Sequence, residues 1–466
     1  MDTIWMPGLA DGVGPKYLSL ARALRDAIGA GVLAEGVQLP TVRDLAWRIG
    51  VTPGTVSRAY QIATQEGLLQ ATVGRGTFVA ARDPRLGPSP HLFPEREARP
   101  AAGRIDLRSP HLPDLGQSLS IAAALRRLSD KIGADWLDYP TQIEEMALRA
   151  EVCTWLGERV LGAFGPQDIM LNHGGQNGIG LILDCCLRGD RPVVLTEDLC
   201  YPGFRYAAKL ARADVVGVDL DHEGVRPDAL EAACRRHGAQ VLCLTPDAQN
   251  PTAARMSAAR RSDIVSISRR YNLQIIEDEC YPAQLSDAPT LRALAPERVW
   301  YIGSLSKTVS AALRFGFVVC PTGMGEAGRL AAQHSYFALS RAVSALCLEL
   351  FTSGDAARIR ARVAAEYSER VQMVVNRLGS FDLGWQVGLP FVWLRLPNDW
   401  CDSTFARMAE EAGVLMRTAD QYAMGHGRAP NAVRLAMAGD ITRGQLDSGV
   451  EALVHLLARP PTDLSV

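Results

Sequence analysis

The chain has 466 residues, 47% of them hydrophobic and 21% charged, with a formal net charge of −2. That length exceeds one ordinary core and predicts two to three globular domains. The near-neutral balance excludes an overall basic field, so any nucleic-acid-binding surface has to be local.

Ten cysteines are scattered with no C-x-x-C pair. Neither a disulfide framework nor a zinc site is expected, no other metal is called for, and a reducing cytoplasmic setting suits the pattern. No apolar run reaches the length of a membrane span, and the start carries no basic, then apolar, secretory pattern.

The first 80 residues read as three helices and a hairpin. Residues 15–30 place Leu18, Leu24 and Ile28 with alanines on one stripe, the spacing of a helix. Residues 41–49 form a short second helix, stopped by Gly50. Thr52 is a good N-cap and Pro53 suits the first helical position, so a third helix starts there and runs to Gly67. LLQAT and GTFVA alternate around Gly74-Arg75-Gly76, which reads as a β-hairpin. This order is that of a winged helix-turn-helix domain over 10–80. Small polar residues at the start of the third helix (Thr52, Gly54, Thr55, Ser57) let a backbone sit low in a DNA groove. Arg58 and the wing Arg75 reach phosphate or base edges. Seven Lys/Arg against six Asp/Glu through residue 80 give little field of their own. Solvated polar residues on a small helical domain are the alternative.

Residues 81–104 hold five prolines among frequent charges and read as a linker. Beyond it, over 105–460, apolar runs at 193–196, 241–245, 273–278 and 299–304 read as buried strands, and 226–237 and 257–271 as helices. The alternation predicts an α/β unit with a parallel sheet wrapped by helices.

Separated motifs in this unit suit pyridoxal 5'-phosphate (PLP). Ser304-Leu305-Ser306-Lys307 follows a predicted strand. A lysine there can form an imine with the PLP aldehyde once burial lowers its pKa. Ser304 and Arg314, seven residues beyond the lysine, can share one phosphate. Asp278 ends the strand LQIIED and can keep a pyridine nitrogen protonated, which makes the ring an electron sink. Asn250, in Asn-Pro-Thr, and Tyr281 can both bond the ring's phenolic oxygen. Gly174-Gly175-Gln176 opens a helix and offers backbone N–H groups to a phosphate. Tyr201, before Pro-Gly, can stack on the ring. Each has an ordinary structural alternative: an exposed lysine, a helix cap, a turn, loop packing.

The run 38–80 closely resembles the GntR winged-helix signature, and the ordered blocks over 105–455 resemble fold-type I aminotransferases. Together the chain resembles the MocR-like branch of GntR regulators. The resemblance implies a large sheet domain with a smaller C-terminal lobe, and Lys307 as the cofactor's lysine. It makes Asp278 the pyridinium partner and Asn250 and Tyr281 the phenolate partners. Gly175, Gln176, Ser304, Ser306 and Arg314 become phosphate contacts, and Arg434 the arginine that holds an effector's α-carboxylate. It implies DNA contacts by Arg43, Thr55, Ser57, Arg58, Arg75 and Gly76, a homodimer, double-stranded operator DNA and a small amino-compound effector. The chain departs from the pattern at Thr-Pro-Gly (52–54), at 138–152, which lacks a glycine-rich run, and at Ala253-Ala254, where glycine is usual. Three functions follow from these readings: an amine-sensing regulator, a working aminotransferase with an accessory head, and a regulator for which PLP itself is the signal.

Overall fold

The computed structural model describes residues 5, 7, 16–65, 68–72, 76–80, 103–281, 286–424 and 429–460. The chain divides into two compact units, Met1–Pro90 and His91–Val466. Residues 81–102 of the expected linker, and the wing tip with Arg75, lie outside the described residues.

The first unit is built from α1 (Lys16–Gly29), α2 (Val42–Ile49), α3 (Pro53–Gln65), β1 (Leu69–Thr72) and β2 (Gly76–Val79). Its core stripe on α1 is Leu20, Ala21, Leu24 and Ile28, whereas Leu18 is 45% exposed. Leu20 recurs with Leu24 and Ile28 at intervals of four; Leu18 is two residues out of step and turns to the opposite face. Thr41 caps α2 by accepting the Asp44 N–H at 3.2 Å, and Gly50 closes it at φ +64°. Val56, Ala59 and Tyr60 of α3 are buried against this core. The strands pair antiparallel from Leu69↔Val79 to Thr72↔Gly76.

The second unit is centred on seven strands: β3 (Ile169–Asn172), β4 (Val193–Glu197), β5 (Asp214–Val218), β6 (Val241–Leu244), β7 (Gln274–Asp278), β8 (Val299–Ser304) and β9 (Gly316–Val319). Their order is β3-β9-β8-β7-β6-β4-β5. All neighbours run parallel except around β9, which is antiparallel to both β8 and β3. Val194, Cys243, Ile276 and Ile302 face one buried cluster, and Leu195, Leu242, Ile275 and Val299 another. Burial on both faces explains why these strands are continuous apolar runs. The helix α4 (Gly175–Cys186) follows β3, and α5 (Pro202–Leu210) follows β4.

A second, antiparallel sheet forms the smaller lobe of this unit. It contains β10 (Asp382–Gly384), β11 (Phe391–Arg395), β12 (Arg417–Thr418) and β13 (Ala432–Ala436), ordered β10-β11-β13-β12. No helix among the described residues is long and apolar enough to cross a membrane.

Candidate functional site

In open α/β sheets ligands bind beyond the carboxyl ends of the strands. Three of the residues singled out in the sequence occupy such ends: Asp278 is the last residue of β7, Lys307 lies on the turn after β8, and Asn250 lies in the loop after β6.

The turn that carries Lys307 is cinched by Ser304. Its hydroxyl donates to the Phe315 carbonyl at 3.0 Å and accepts the Ser306 N–H at 3.1 Å. Burial, followed by the positive charge of Arg434 and, more weakly, of Arg314, pushes the Lys307 ammonium down to about 8; Cys280 opposes this.

A cradle adjoins that turn. Gly174, at φ +92°, precedes α4 with no side-chain cap, and the first-turn amides of a helix have no acceptor within it. Arg314 donates to the His173 carbonyl at 2.9 Å. A Cβ on Gly174 would meet the Arg314 guanidinium at 3.1 Å, and one on Gly316 would meet the Gly174 backbone at 2.7 Å. Because Gly316 pairs with Ser304, the glycines, the Ser304 turn and Arg314 converge. Gln176 donates to the Gly203 carbonyl at 3.0 Å. Tyr201 precedes α5 and stacks edge-on against Phe204. Burial, with the negative potential of Tyr281 and Asp278, raises its hydroxyl pKa.

Asp278 is buried, which raises its carboxyl pKa. It accepts the Cys280 N–H at 3.1 Å, and no cation acts on it among the described residues. A buried carboxylate lacking a cation is costly unless one arrives. Tyr281 packs edge-on against Phe391 of β11, and its hydroxyl accepts from Asn250 Nδ2 at 3.4 Å. Asn250 Oδ1 in turn accepts from Arg434 Nη1 at 2.8 Å. Arg434, on β13, is 4% exposed and lies over the rings of Phe391 and Tyr422. It is therefore a buried group rather than a surface arginine beside a strand.

Sequence reasoning missed what holds Asn250 in place. The Gln249 side chain donates to Glu197 at 3.1 Å and accepts the Thr252 N–H at 2.9 Å. Ala253 sits at φ +61°, a left-handed conformation that explains why glycine is usual there. Deeper, Asp247 accepts from Arg159 at 2.7 Å and from the fully buried Arg261, and its N–H donates to Glu279 at 2.8 Å. Gln386, between β10 and β11, donates to the carbonyls of Asp247 and Ala253 at 2.9 Å each. Of these residues, Arg159, Asp247, Gln249, Arg261, Glu279 and Gln386 belong to no motif. Only their closeness in sequence to Asn250 and Asp278 gives Asp247, Gln249 and Glu279 away.

On the first unit, Thr52 caps α3 by accepting the Thr55 N–H at 3.3 Å. Thr52, Arg43 and Arg58 are exposed, and Thr55 and Ser57 half-buried. Arg58 lies over the Tyr17 ring at 4.4 Å. Gly76 opens β2 at φ +112°.

An anion cradle, an unpaired buried carboxylate and a lysine of lowered pKa form a donor set that fits a phosphorylated pyridine aldehyde. Comparison with known proteins agrees in fold. Residues 103–453 match the family of class I and II aminotransferases, and residues 16–79 the gntR family of bacterial regulatory proteins. The chain is 29% identical to the uncharacterized HTH-type transcriptional regulator YdeF of Bacillus subtilis (strain 168), over 97% of this chain and 96% of that one. It is 27% identical to PdxR, an HTH-type pyridoxine biosynthesis transcriptional regulator of Corynebacterium glutamicum, over 65% of each chain. Among solved structures it resembles LysN, the α-aminoadipate aminotransferase of Thermus thermophilus. The TM-score is 0.66 at 25% identity, covering 77% of this chain and 92% of that one. The chain thus belongs to the class I and II aminotransferase family and carries that unit behind a gntR-type head, the arrangement of MocR-like regulators.

Proposed function

We propose that the protein is a DNA-binding transcription regulator whose second unit holds PLP on Lys307 and reads a small amino compound there. The observation that carries this reading is the Tyr281–Asn250–Arg434 hydrogen-bonded chain beside Lys307, in a chain that also has a gntR-type head. PLP supplies an aldehyde that condenses with primary amines and a protonated ring that withdraws electrons. Gly174, Gly175, Gln176, Ser304, Ser306 and Arg314 are the proposed holders of its phosphate. Asp278 holds the pyridine N–H, Asn250 and Tyr281 the phenolic oxygen, and Tyr201 covers a ring face. Lys307, kept partly neutral by its surroundings, is the amine that meets the aldehyde. Arg434 takes the effector's α-carboxylate, in place of its present bond to Asn250.

The head's exposed Arg43, Thr52 and Arg58, with Thr55, Ser57 and the wing at Gly76, are the proposed DNA contacts. Arg75 belongs with them by sequence. A homodimer is favoured by apolar side chains left in water: Leu137 is 88% exposed and Ile143 85%, near the stacked pair Tyr139–Phe337.

The test is a DNA-shift titration of the PLP-loaded protein with amines, with Lys307→Ala alongside. A shift that responds to amine in the parent and not in the variant is expected. Sustained conversion of an amino donor and a keto acid at about 1 per second or more, with DNA affinity indifferent to amine, would overturn the regulator reading in favour of an aminotransferase. A response to PLP without amine would make the cofactor itself the signal.

A further inference from the structure

Arg434 is not the sole cation at the effector end of the site. Arg417 of β12 is its direct cross-strand partner, so the two side chains share a face of the small sheet. Both donate to one acceptor: the Arg108 carbonyl takes Arg434 Nη2 at 3.0 Å and Arg417 Nε at 2.9 Å. Two guanidinium groups are thereby held within a few ångströms of each other.

The charge there is unbalanced. The nearby Asp106 is taken up by Arg108, whose guanidinium forks onto both carboxylate oxygens at 3.0 and 2.8 Å. Arg417 has only neutral acceptors among the described residues besides the shared carbonyl, the Gln421 side chain at 2.7 Å and the Ser109 hydroxyl at 3.4 Å. Arg434 likewise has only neutral acceptors among them, and its buried Nε has none. Like charges this close repel in a partly dry site, and an entering anion relieves them. Burial and the positive charges of Arg434 and Arg108 lower the pKa of Arg417, with Tyr422 and Asp106 opposing. One guanidinium suffices for one α-carboxylate; the second is left over.

We propose that the effector is an amino acid with a second anionic group on its side chain: Arg434 holds the α-carboxylate and Arg417 the distal acid. The inference rests on the amine-sensing reading above and narrows its ligand class.

The test uses the PLP-loaded full chain and follows the visible absorbance on titration with isosteric pairs, L-glutamate against L-glutamine and L-aspartate against L-asparagine. One acid is expected to act at about 10- to 100-fold lower concentration than its amide, the worth of one charge-assisted hydrogen bond. Arg417→Gln is expected to erase that ratio, and its retained PLP absorbance and cooperative thermal unfolding show that the variant is folded. Arg434→Gln should weaken acid and amide together. Equal midpoints for acids and amides in the parent, or an unchanged ratio in Arg417→Gln, overturn the inference and leave amine sensing standing. If no amino acid changes the spectrum of protein that has bound PLP, amine sensing itself falls and the inference with it.

Discussion

The lowered pKa of Lys307 makes a prediction about pH. At about 8 instead of the usual 10.5, roughly a tenth of this amine is neutral at pH 7, against about 3 in 10,000 for an ordinary lysine. Only the neutral amine attacks an aldehyde, so the shift is worth a factor of roughly 300 in PLP capture at neutral pH. The capture rate, followed by absorbance after mixing apoprotein with PLP, should rise about fivefold from pH 7 to 8, less than about twofold from 8 to 9, and then level. Arg434→Met removes the cause second only to burial, so its plateau should start at higher pH. A rate that climbs tenfold per pH unit through pH 9 in the parent would refute the reasoning. Stability gives an independent reading. Between pH 8 and 10.5 the unfolded chain binds a proton at this lysine that the native chain does not, so native stability rises with pH across that window. At pH 7 both states carry the proton and the native state bears the cost. That cost is at most about 3 kcal/mol, and thermal unfolding of the apoprotein should show Lys307→Met to be the more stable form by up to that amount.

Other expectations follow from single contacts. Asp247→Asn takes the nearest carboxylate from the partly buried Arg159 and from the fully buried Arg261, which keeps Glu277 at 3.8 Å. Unfolding in denaturant should show a loss of about 3–5 kcal/mol, and a loss under about 1 would mean that the network is solvated. Ala253→Gly relieves a left-handed alanine at some cost in chain entropy, for a net gain of a few tenths to about 1 kcal/mol by the same measurement. Arg58→Ala should weaken binding to duplex DNA and reduce the slope of log affinity against log salt by about one. An unchanged slope removes Arg58 from the phosphate contacts.

The legible parts of the chain were those where one residue type answers one local demand. Apolar runs buried on both faces gave the inner strands, and Thr52-Pro53 gave the start of α3. The stripe on α1 was misjudged at Leu18 because a leucine at a helix's start can face either way until its neighbours are known. The edge strand β3, its neighbour β9 and the small sheet were less visible. They are short and gain their burial from partners far off in sequence, as β9 does between β3 and β8. In the candidate site, Lys307, Asp278 and Asn250 could be named from motifs and Arg434 from the family resemblance. The groups that orient them could not: Gln386 reaches the Asn250 loop from over 130 residues away, and Arg417 meets Arg434 only through strand pairing.

The contact with most bearing on signalling is the one between Arg434 and Asn250, because it joins the small sheet to the loop beyond β6 in the large one. An effector carboxylate that takes over Arg434 removes this tie, while an amine without a carboxylate leaves it in place. Under the proposed function both kinds of ligand would meet the cofactor's aldehyde, yet only the first discriminates between tied and untied arrangements, and only differential affinity can shift such an equilibrium. One hydrogen bond to a charged group bounds the coupling at about 1.5–3 kcal/mol, or roughly 10- to 150-fold in DNA affinity. Linkage makes the same factor reappear in reverse: saturating operator DNA must change effector affinity by that ratio and in the same direction. Effector titrations with and without operator therefore measure the coupling without any assumption about how the two units are arranged. A carboxylate-free amine that alters DNA affinity as much as an amino acid does would show that the signal starts at Lys307 and bypasses Arg434.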